Sequence, residues 1–229
     1  MALAGQGAVV IRFNRPHQTL EAFYDWMIWE HMPERVAIPG FLRARRFKST
    51  QGGAHRFLTI YEVEGMHVLR GAHYLERLNN PTPLTRRTAP QSTQLSRGDT
   101  RVEVSLGRAQ GGTMCTLGFE PATGGEASLR ERVGVALKAV MAMRGVVGAH
   151  LCVTDAESSR TEVEERKGRD IRIPAWIVLV EGVTPGLVEA ACDAHLSYEA
   201  LRASGATSDF DRECWLHEMT LPGFSPPSS

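Results

Sequence analysis

The same order of predicted elements occurs twice along this 229-residue chain, and that order restricts the fold more than any other feature. Alternating and helical hydrophobic spacings predict a strand, a helix, two strands, a helix and a strand in each half. The predicted elements are strands 8–13, 41–48, 56–63 and 102–106 with helices 19–32 and 66–79, then strands 113–119, 146–153, 174–181 and 213–221 with helices 126–142 and 185–203. Each series has the β-α-β-β-α-β order of a ferredoxin-like unit.

Two such units in one chain predict how their sheets are buried. Helices cover one face of each sheet, so the other face needs a partner, and the sheet of the second unit is the nearest one. We therefore predict an α+β fold in which two tandem ferredoxin-like units pack sheet to sheet as an intrachain α/β barrel. The first unit spans 1–107 and carries the candidate site, the second spans 108–222 and is structural, and 223–229 form a disordered tail.

Two segments do not fit this plan. Residues 79–100 contain three prolines and three arginines with little apolar periodicity, which is typical of a lid, of an arm around the other half, or of a surface connector. Residues 156–170 are almost entirely polar and predict a solvated loop or short exposed helix without chemistry.

Composition and charge exclude several classes of function. Lys plus Arg and Asp plus Glu both number 26, so no overall charge favours binding to nucleic acid or to a membrane surface. The sequence also has no long apolar leader or spanning stretch, and we expect a cytoplasmic protein. The four cysteines have no zinc spacing and no glycine-rich phosphate loop is present, so we expect neither a metal nor a cofactor.

A histidine occupies an apolar stripe at the end of the first helix. The stripe comprises Leu20, Phe23, Tyr24, Met27 and Ile28, and at about 100° per residue His31 falls within about 20° of Leu20. An imidazole on this face is either a hydrogen-bonded core residue or part of the wall of a ligand cavity.

Two carboxylates and a proline accompany this histidine. Pro33 ends regular helix nearby and opens space around the ring, while Glu30 and Glu34 flank His31 on the helix surface. Glu34, at i+3, is better placed than Glu30 to orient the imidazole, although an ion pair with Arg35 or an exposed base is the alternative.

The next two strands supply further candidate groups. Arg43 and Arg45 lie on one face of the second strand and Arg46 lies on the other, so both faces carry a guanidinium. A buried guanidinium needs a protein carboxylate or a carboxylate ligand. Tyr61 can offer its phenol to a substrate carbonyl or can simply pack in the sheet. Phe41 is the first residue of the second strand.

The run Glu30-His31-Met32-Pro33-Glu34, preceded by Trp26 and followed by Pro39-Gly40-Phe41, resembles the dimeric α/β-barrel proteins and in particular the EthD-like bacterial proteins. A Tyr61-Glu62 strand and the run 79–83 (Asn-Asn-Pro-Thr-Pro) add to the resemblance. It implies a ferredoxin-like fold with a pocket between sheet and helices. The superfamily it implies includes cofactor-free monooxygenases, cyclases, isomerases, lyases, haem-handling enzymes and members with no known activity.

These observations lead to one hypothesis and three alternatives. A neutral imidazole can move a proton, so we predict a cofactor-independent lyase, isomerase or cyclase acting on a small aromatic or carboxylate metabolite. The alternatives are a ligand-binding or stress-associated barrel, a haem-handling barrel, and a cofactor-free monooxygenase. For the predicted enzyme, the catalytic residues are His31, Tyr61 and Glu34. Its predicted substrate-binding residues are Tyr24, Ile28, Glu30, Phe41, Arg43, Arg45 and Arg46. The predicted partners are a small-molecule substrate and, as an open alternative, a second copy of the chain.

Overall fold

The structure is a computed structural model that describes residues 3–51, 55–207 and 210–223. Its strands are β1 (Gly7–Asn14), β2 (Phe41–Ser49), β3 (Arg56–Val63), β4 (Thr93–Gly107), β5 (Thr113–Phe119), β6 (Val146–Thr154), β7 (Ile171–Arg172), β8 (Trp176–Gly182) and β9 (Asp211–Pro222). Its α-helices are α1 (Leu20–Trp26), α2 (Met32–Val36), α3 (Met66–Leu69), α4 (Ala72–Asn79), α5 (Pro83–Thr88), α6 (Glu126–Met141), α7 (Ala156–Arg160), α8 (Pro185–His195) and α9 (Tyr198–Ala203). None of the helices in these ranges is long and apolar enough to cross a membrane.

Eight of the strands close into one antiparallel barrel. The order is β1-β3-β2-β9-β5-β8-β6-β4, and β4 also pairs with β1, which closes the ring. The first half contributes β4-β1-β3-β2 and the second half β9-β5-β8-β6, each the strand order of a ferredoxin-like unit. The long strand β4 pairs with β1 through its first part and with β6 through its second part. The predicted α+β class and intrachain barrel are confirmed.

Side chains alternate between the barrel interior and the helix-covered outer faces, as the two-residue period of a strand requires. One apolar cluster fills the interior and includes Phe47, Ile60, Met114 and Trp215. A second cluster lies between the first-half strands and helices α1 to α5, and a third lies between the second-half strands and helices α6, α8 and α9. The candidate site belongs to the second of these clusters.

One end of the barrel interior is charged, and this changes the role expected of two arginines. Arg45 is fully buried and donates to Glu62 and Glu181 at 2.8 Å each, and Arg43 forms a second ion pair with Glu62. Because Glu181 belongs to the second half, these ion pairs join the two halves. Arg43 and Arg45 were predicted to bind substrate, but the structure directs them into the barrel, where protein carboxylates already bind them.

The two irregular segments have more structure than the sequence suggests. Residues 79–100 contain α5 and the first part of β4, which begins at Thr93 and not at 102. The sequence does not show the apolar alternation typical of a strand here, because Arg97 is buried against the Tyr74 hydroxyl and the Asp99 carboxylate and not against apolar side chains. The tail predicted for 223–229 lies outside the described residues except for Gly223, whose amide donates to the carbonyl of Leu42.

Candidate active site

His31 lies in a π-helical turn between α1 and α2. This turn spans Met27–His31, and Pro33 follows it, so the backbone lacks one amide donor at the point where the helix widens. The wider turn brings the rings of Trp26 and His31, five residues apart, to 4.3 Å between centroids. Such π-turns are frequent at functional sites. The turn buries His31, which is 7% exposed.

A small cavity of about 60 Å³ adjoins His31 on the helix side of the first sheet. Its wall contains Thr59 and Tyr61 from β3, and the apolar remainder comes mainly from Phe13, Trp26 and other side chains of the same core cluster. The Nδ1 atom of His31, the hydroxyl of Thr59 and the hydroxyl of Tyr61 are buried without a hydrogen-bond partner among the described residues. Buried polar atoms are nearly always satisfied, so three such atoms around one cavity point to a ligand or to ordered water.

A larger cavity of about 750 Å³ adjoins the first. The two share wall residues, among them Phe13, Leu95, Glu165 and Arg169, so the small cavity, which we call the inner cavity, lies directly against the larger one, which we call the vestibule. Pockets for small ligands are typically about 300–1,000 Å³. The vestibule thus has room for a multi-ring molecule.

The inner cavity has an electrostatic environment that disfavours protonated histidine. Burial, and then the guanidinium groups of Arg35 and Arg169, lower the pKa of His31 to about 3, although Glu165 acts in the opposite direction. The imidazole is therefore neutral at pH 7. Burial also raises the pKa of the Tyr61 phenol well above its usual value, so the phenol stays protonated and can donate a hydrogen bond.

Among the described residues, the one carboxylate that lines the inner cavity comes from the second half of the chain. Glu165 lines both cavities and forms an ion pair with Arg35 of α2. Burial acts to raise its pKa, but the Arg35 guanidinium holds the pKa of Glu165 below its usual value. The segment 156–170, from which no chemistry was predicted, thus supplies a wall residue of the site.

Neither carboxylate predicted to orient His31 does so. Glu30 accepts hydrogen bonds from the hydroxyls of Thr82 and Thr85. Glu34 faces Arg77, at 3.5 Å, and lines a separate cavity of about 270 Å³. The Glu34 carboxylate also lies 3.9 Å from the guanidinium of Arg35, which is the ion pair that the sequence left as the alternative.

The other predicted substrate-binding residues divide between packing and the protein surface. Tyr24 donates to the Glu218 carboxylate, which also accepts from Arg46, and the Arg46 guanidinium stacks over the Tyr24 ring at 4.7 Å. Phe41 packs edge-on against the Tyr61 ring at 6.2 Å, while Ile28 is half-buried. Tyr24, Arg46, Phe41 and Ile28 do not line the inner cavity, whereas His31 and Tyr61 do.

The site also contains residues that the sequence did not reveal. They are Thr59, Arg97, Glu165, Arg166 and Arg169, which all line the inner cavity. No group of three or more His, Cys, Asp or Glu side chains within the described ranges is arranged to bind a metal ion.

Comparisons with known proteins identify the fold. A scan against family models finds no match, and a search of curated proteins finds no relative. Among solved structures, the chain is similar to an anthrone oxidase-like protein with a TM-score of 0.69 and 11% identity, over 98% of this chain and 97% of the other. A protein from Fusobacterium nucleatum named as a candidate monooxygenase has a TM-score of 0.59 and 8% identity, with 96% of each chain covered. A heme-binding protein from Thermus thermophilus has a TM-score of 0.51 and 11% identity, over 93% and 91% of the chains.

These similar structures correct the predicted reaction class. Their names describe oxidase-like, monooxygenase and heme-binding proteins, and the prediction of lyase, isomerase or cyclase chemistry is therefore wrong. At such low identities the likeness itself shows the shared ferredoxin-like barrel fold, and the chemistry has to be argued from the site.

Haem does not fit beside His31. A haem iron on this imidazole would place the macrocycle around the ring nitrogen, and the inner cavity offers only about 60 Å³ there. Its wall is formed by packed side chains of the first-half core, including Trp26 and Met27.

Proposed function

We propose that this protein is an enzyme that uses O₂ to oxidise an aromatic small molecule with an acidic C–H or O–H group, without a bound cofactor. The observation that supports this most directly is the convergence of the unpartnered His31, Thr59 and Tyr61 atoms on a largely apolar cavity surrounded by arginines. We also propose the EthD-like relationship, which rests on the motif around His31 and not on the structural comparisons.

Oxidation of this kind needs the protein to stabilise an anion. An aromatic substrate such as an anthrone loses a proton from its methylene carbon, and the resulting enolate is electron-rich enough to react with O₂. One oxygen atom forms the new carbonyl, the other leaves as water with the two methylene hydrogens, and the substrate becomes the quinone. The protein then has to bind the ring system, accept a proton and exclude water.

The electrostatics of the cavity suit this task. The positive potential of Arg35 and Arg169 that lowers the pKa of His31 also favours an anionic substrate. As the proton moves from the methylene carbon to the imidazole, the negative charge that develops on the enolate raises the proton affinity of His31 and stabilises the ion pair that results. The phenol of Tyr61 and the hydroxyl of Thr59 can donate hydrogen bonds to the enolate oxygen.

The similar structures add support from their names. One is described as anthrone oxidase-like and another as a monooxygenase candidate, and both align over nearly the whole chain. An anthrone is flat and tricyclic, which suits a vestibule of about 750 Å³ beside the small inner cavity.

The test is oxygen uptake with a panel of anthrones and phenols, with ¹⁸O₂ used to label the product carbonyl. We expect turnover of at least one anthrone, and a fall of about 10²-fold or more in kcat for His31→Gln, because glutamine cannot accept the proton. The controls are His195→Gln, in α8 of the second half, and His150→Gln, which removes a buried imidazole from the barrel interior. Folded His31→Gln protein with full activity contradicts the role of His31, and failure to oxidise any member of the panel contradicts the function.

A further inference from the structure

We infer that the substrate carries a carboxylate apart from its reacting carbon, and that Arg169 binds this carboxylate where the inner cavity meets the vestibule. This inference rests on the proposed function, and it names the substrate class: an aromatic acid.

Arg169 is positioned to contact ligands in both cavities. It follows the short 3₁₀ turn 164–166 in the connection between α7 and β7, and it lines the inner cavity as well as the vestibule. The only hydrogen bond that its side chain makes within the described residues is to the carbonyl oxygen of Ala89, at 3.0 Å. No carboxylate of those residues lies within ion-pair distance of it.

The other arginines of the inner wall are already engaged. Arg97 pairs with Asp99 at 2.7 Å and donates to the Tyr74 hydroxyl. Arg166 donates to two backbone carbonyls and approaches the same aspartate at 3.7 Å. A guanidinium presents several N–H groups in one plane, and Arg169 has used one nitrogen only, so it retains a fork that suits a planar carboxylate.

The charge balance around the cavity supports an anionic ligand. Four arginines lie in or next to its wall: Arg35, Arg97, Arg166 and Arg169. Among the described residues, Glu165, Asp99 and Glu34 are the carboxylates within ion-pair distance of them. Glu34 also pairs with a fifth arginine, Arg77, at 3.5 Å, so five guanidinium groups face three carboxylates and two positive charges remain in excess. Uncompensated positive charge in a mostly buried place is costly, and a bound anion relieves it.

The positions of His31 and Arg169 in the two cavities restrict where the ligand can carry its carboxylate. His31 lines the inner cavity only, whereas Arg169 lines both spaces. A flat ring system with its reacting carbon in the inner cavity can therefore direct a carboxylate at its far edge toward Arg169. Because Arg169 lies between α7 and β7, the second half would determine which substrates the first half accepts.

The experiment measures binding of two quinone probes by calorimetry: anthraquinone-2-carboxylate and the neutral anthraquinone-2-carboxamide. We expect the carboxylate to bind at least about tenfold more tightly to the wild-type protein, because charge-assisted hydrogen bonds are the stronger ones. Arg169→Gln should abolish this preference. Arg169→Lys should retain part of it, since an ammonium keeps the charge but not the fork.

The matched control is Arg172→Gln. Arg172 also lines the vestibule, but it is paired with Asp211, so the carboxylate preference should persist in this variant. Equal binding of the two probes, no binding of either, or an undiminished preference in Arg169→Gln would each overturn the inference. Quinones are products and are not oxidised further, so these outcomes are independent of the oxygen-uptake test, which judges the proposed function on anthrones and phenols.

Discussion

His31 should make the stability of the protein depend steeply on pH below its ordinary titration range. In the unfolded chain the imidazole titrates near its usual pKa of about 6.5. In the folded protein its pKa is about 3, because burial and the guanidinium groups of Arg35 and Arg169 outweigh the opposing charge of Glu165. Between these values the unfolded state binds one proton that the folded state does not, so the free energy of unfolding falls as the pH falls.

The magnitude follows from the linkage relation. One proton corresponds to about 1.4 kcal/mol per pH unit, so this histidine should remove about 2.5 kcal/mol of stability between pH 6 and pH 4. In His31→Gln this contribution is absent. We expect urea denaturation curves at pH 6, 5 and 4 to show that the variant loses about 2.5 kcal/mol less than the wild type over this interval. Carboxylates titrate equally in both proteins and cancel in the difference.

A second buried histidine provides the matched control. His150 lies inside the barrel, where burial and the charges of Arg45 and Arg43 lower its pKa to about 3. His150→Gln should therefore flatten the pH dependence by the same amount. Parallel curves for the wild type and His31→Gln would refute the reasoning, because they would mean that His31 is protonated in the folded protein at ordinary pH.

Two further substitutions test the fold that supports the site. Arg45→Met should cost about 3–5 kcal/mol in urea denaturation, since it leaves two interior glutamates without their shared cation; a loss under about 1 kcal/mol would show that these carboxyls are protonated. Gly40→Ala should destabilise by more than about 1 kcal/mol, because φ is +87° and a Cβ would meet Val68 Cγ2 at 2.5 Å. Gly134→Ala, in the interior of α6 with no atom within 4 Å of the new Cβ, is its control and should be neutral or stabilising by up to about 1 kcal/mol; equal effects of the two would contradict the steric argument.

The sequence was most informative where local spacing determines structure. Strand and helix periodicities predicted the order of the elements, and the uncovered sheet faces predicted the barrel. The same helical spacing placed His31 on the inward face, where the structure has it. This spacing does not reveal the π-turn over Met27–His31, because a change of helical pitch leaves the sequence pattern unchanged and alters only the angles between successive side chains.

The remaining parts of the site depend on contacts that local patterns do not encode. Glu165 reaches Arg35 across 130 positions of sequence, and its segment is so polar that it predicts a solvated loop. The first part of β4 was missed for a similar reason, since Arg97 is buried through ionic and hydroxyl contacts and not through apolar ones. The sequence around a charged residue in a polar segment does not indicate that the residue lines a buried cavity.

The two halves share a strand order, yet they contribute unequally to the candidate site. In the second half, α6 occupies the position of the α1–α2 helix, but it is continuous α-helix whose buried residues are all apolar: Leu129, Val133, Leu137 and Val140. What the second half supplies instead is the connection between α7 and β7, which brings Glu165 and Arg169 to the first-half cavity. Strand β7 fixes the end of this connection by pairing in parallel with β4 at Leu95. The cavity therefore requires both halves, because the first half alone would leave Arg35 without Glu165 and the inner wall open to water.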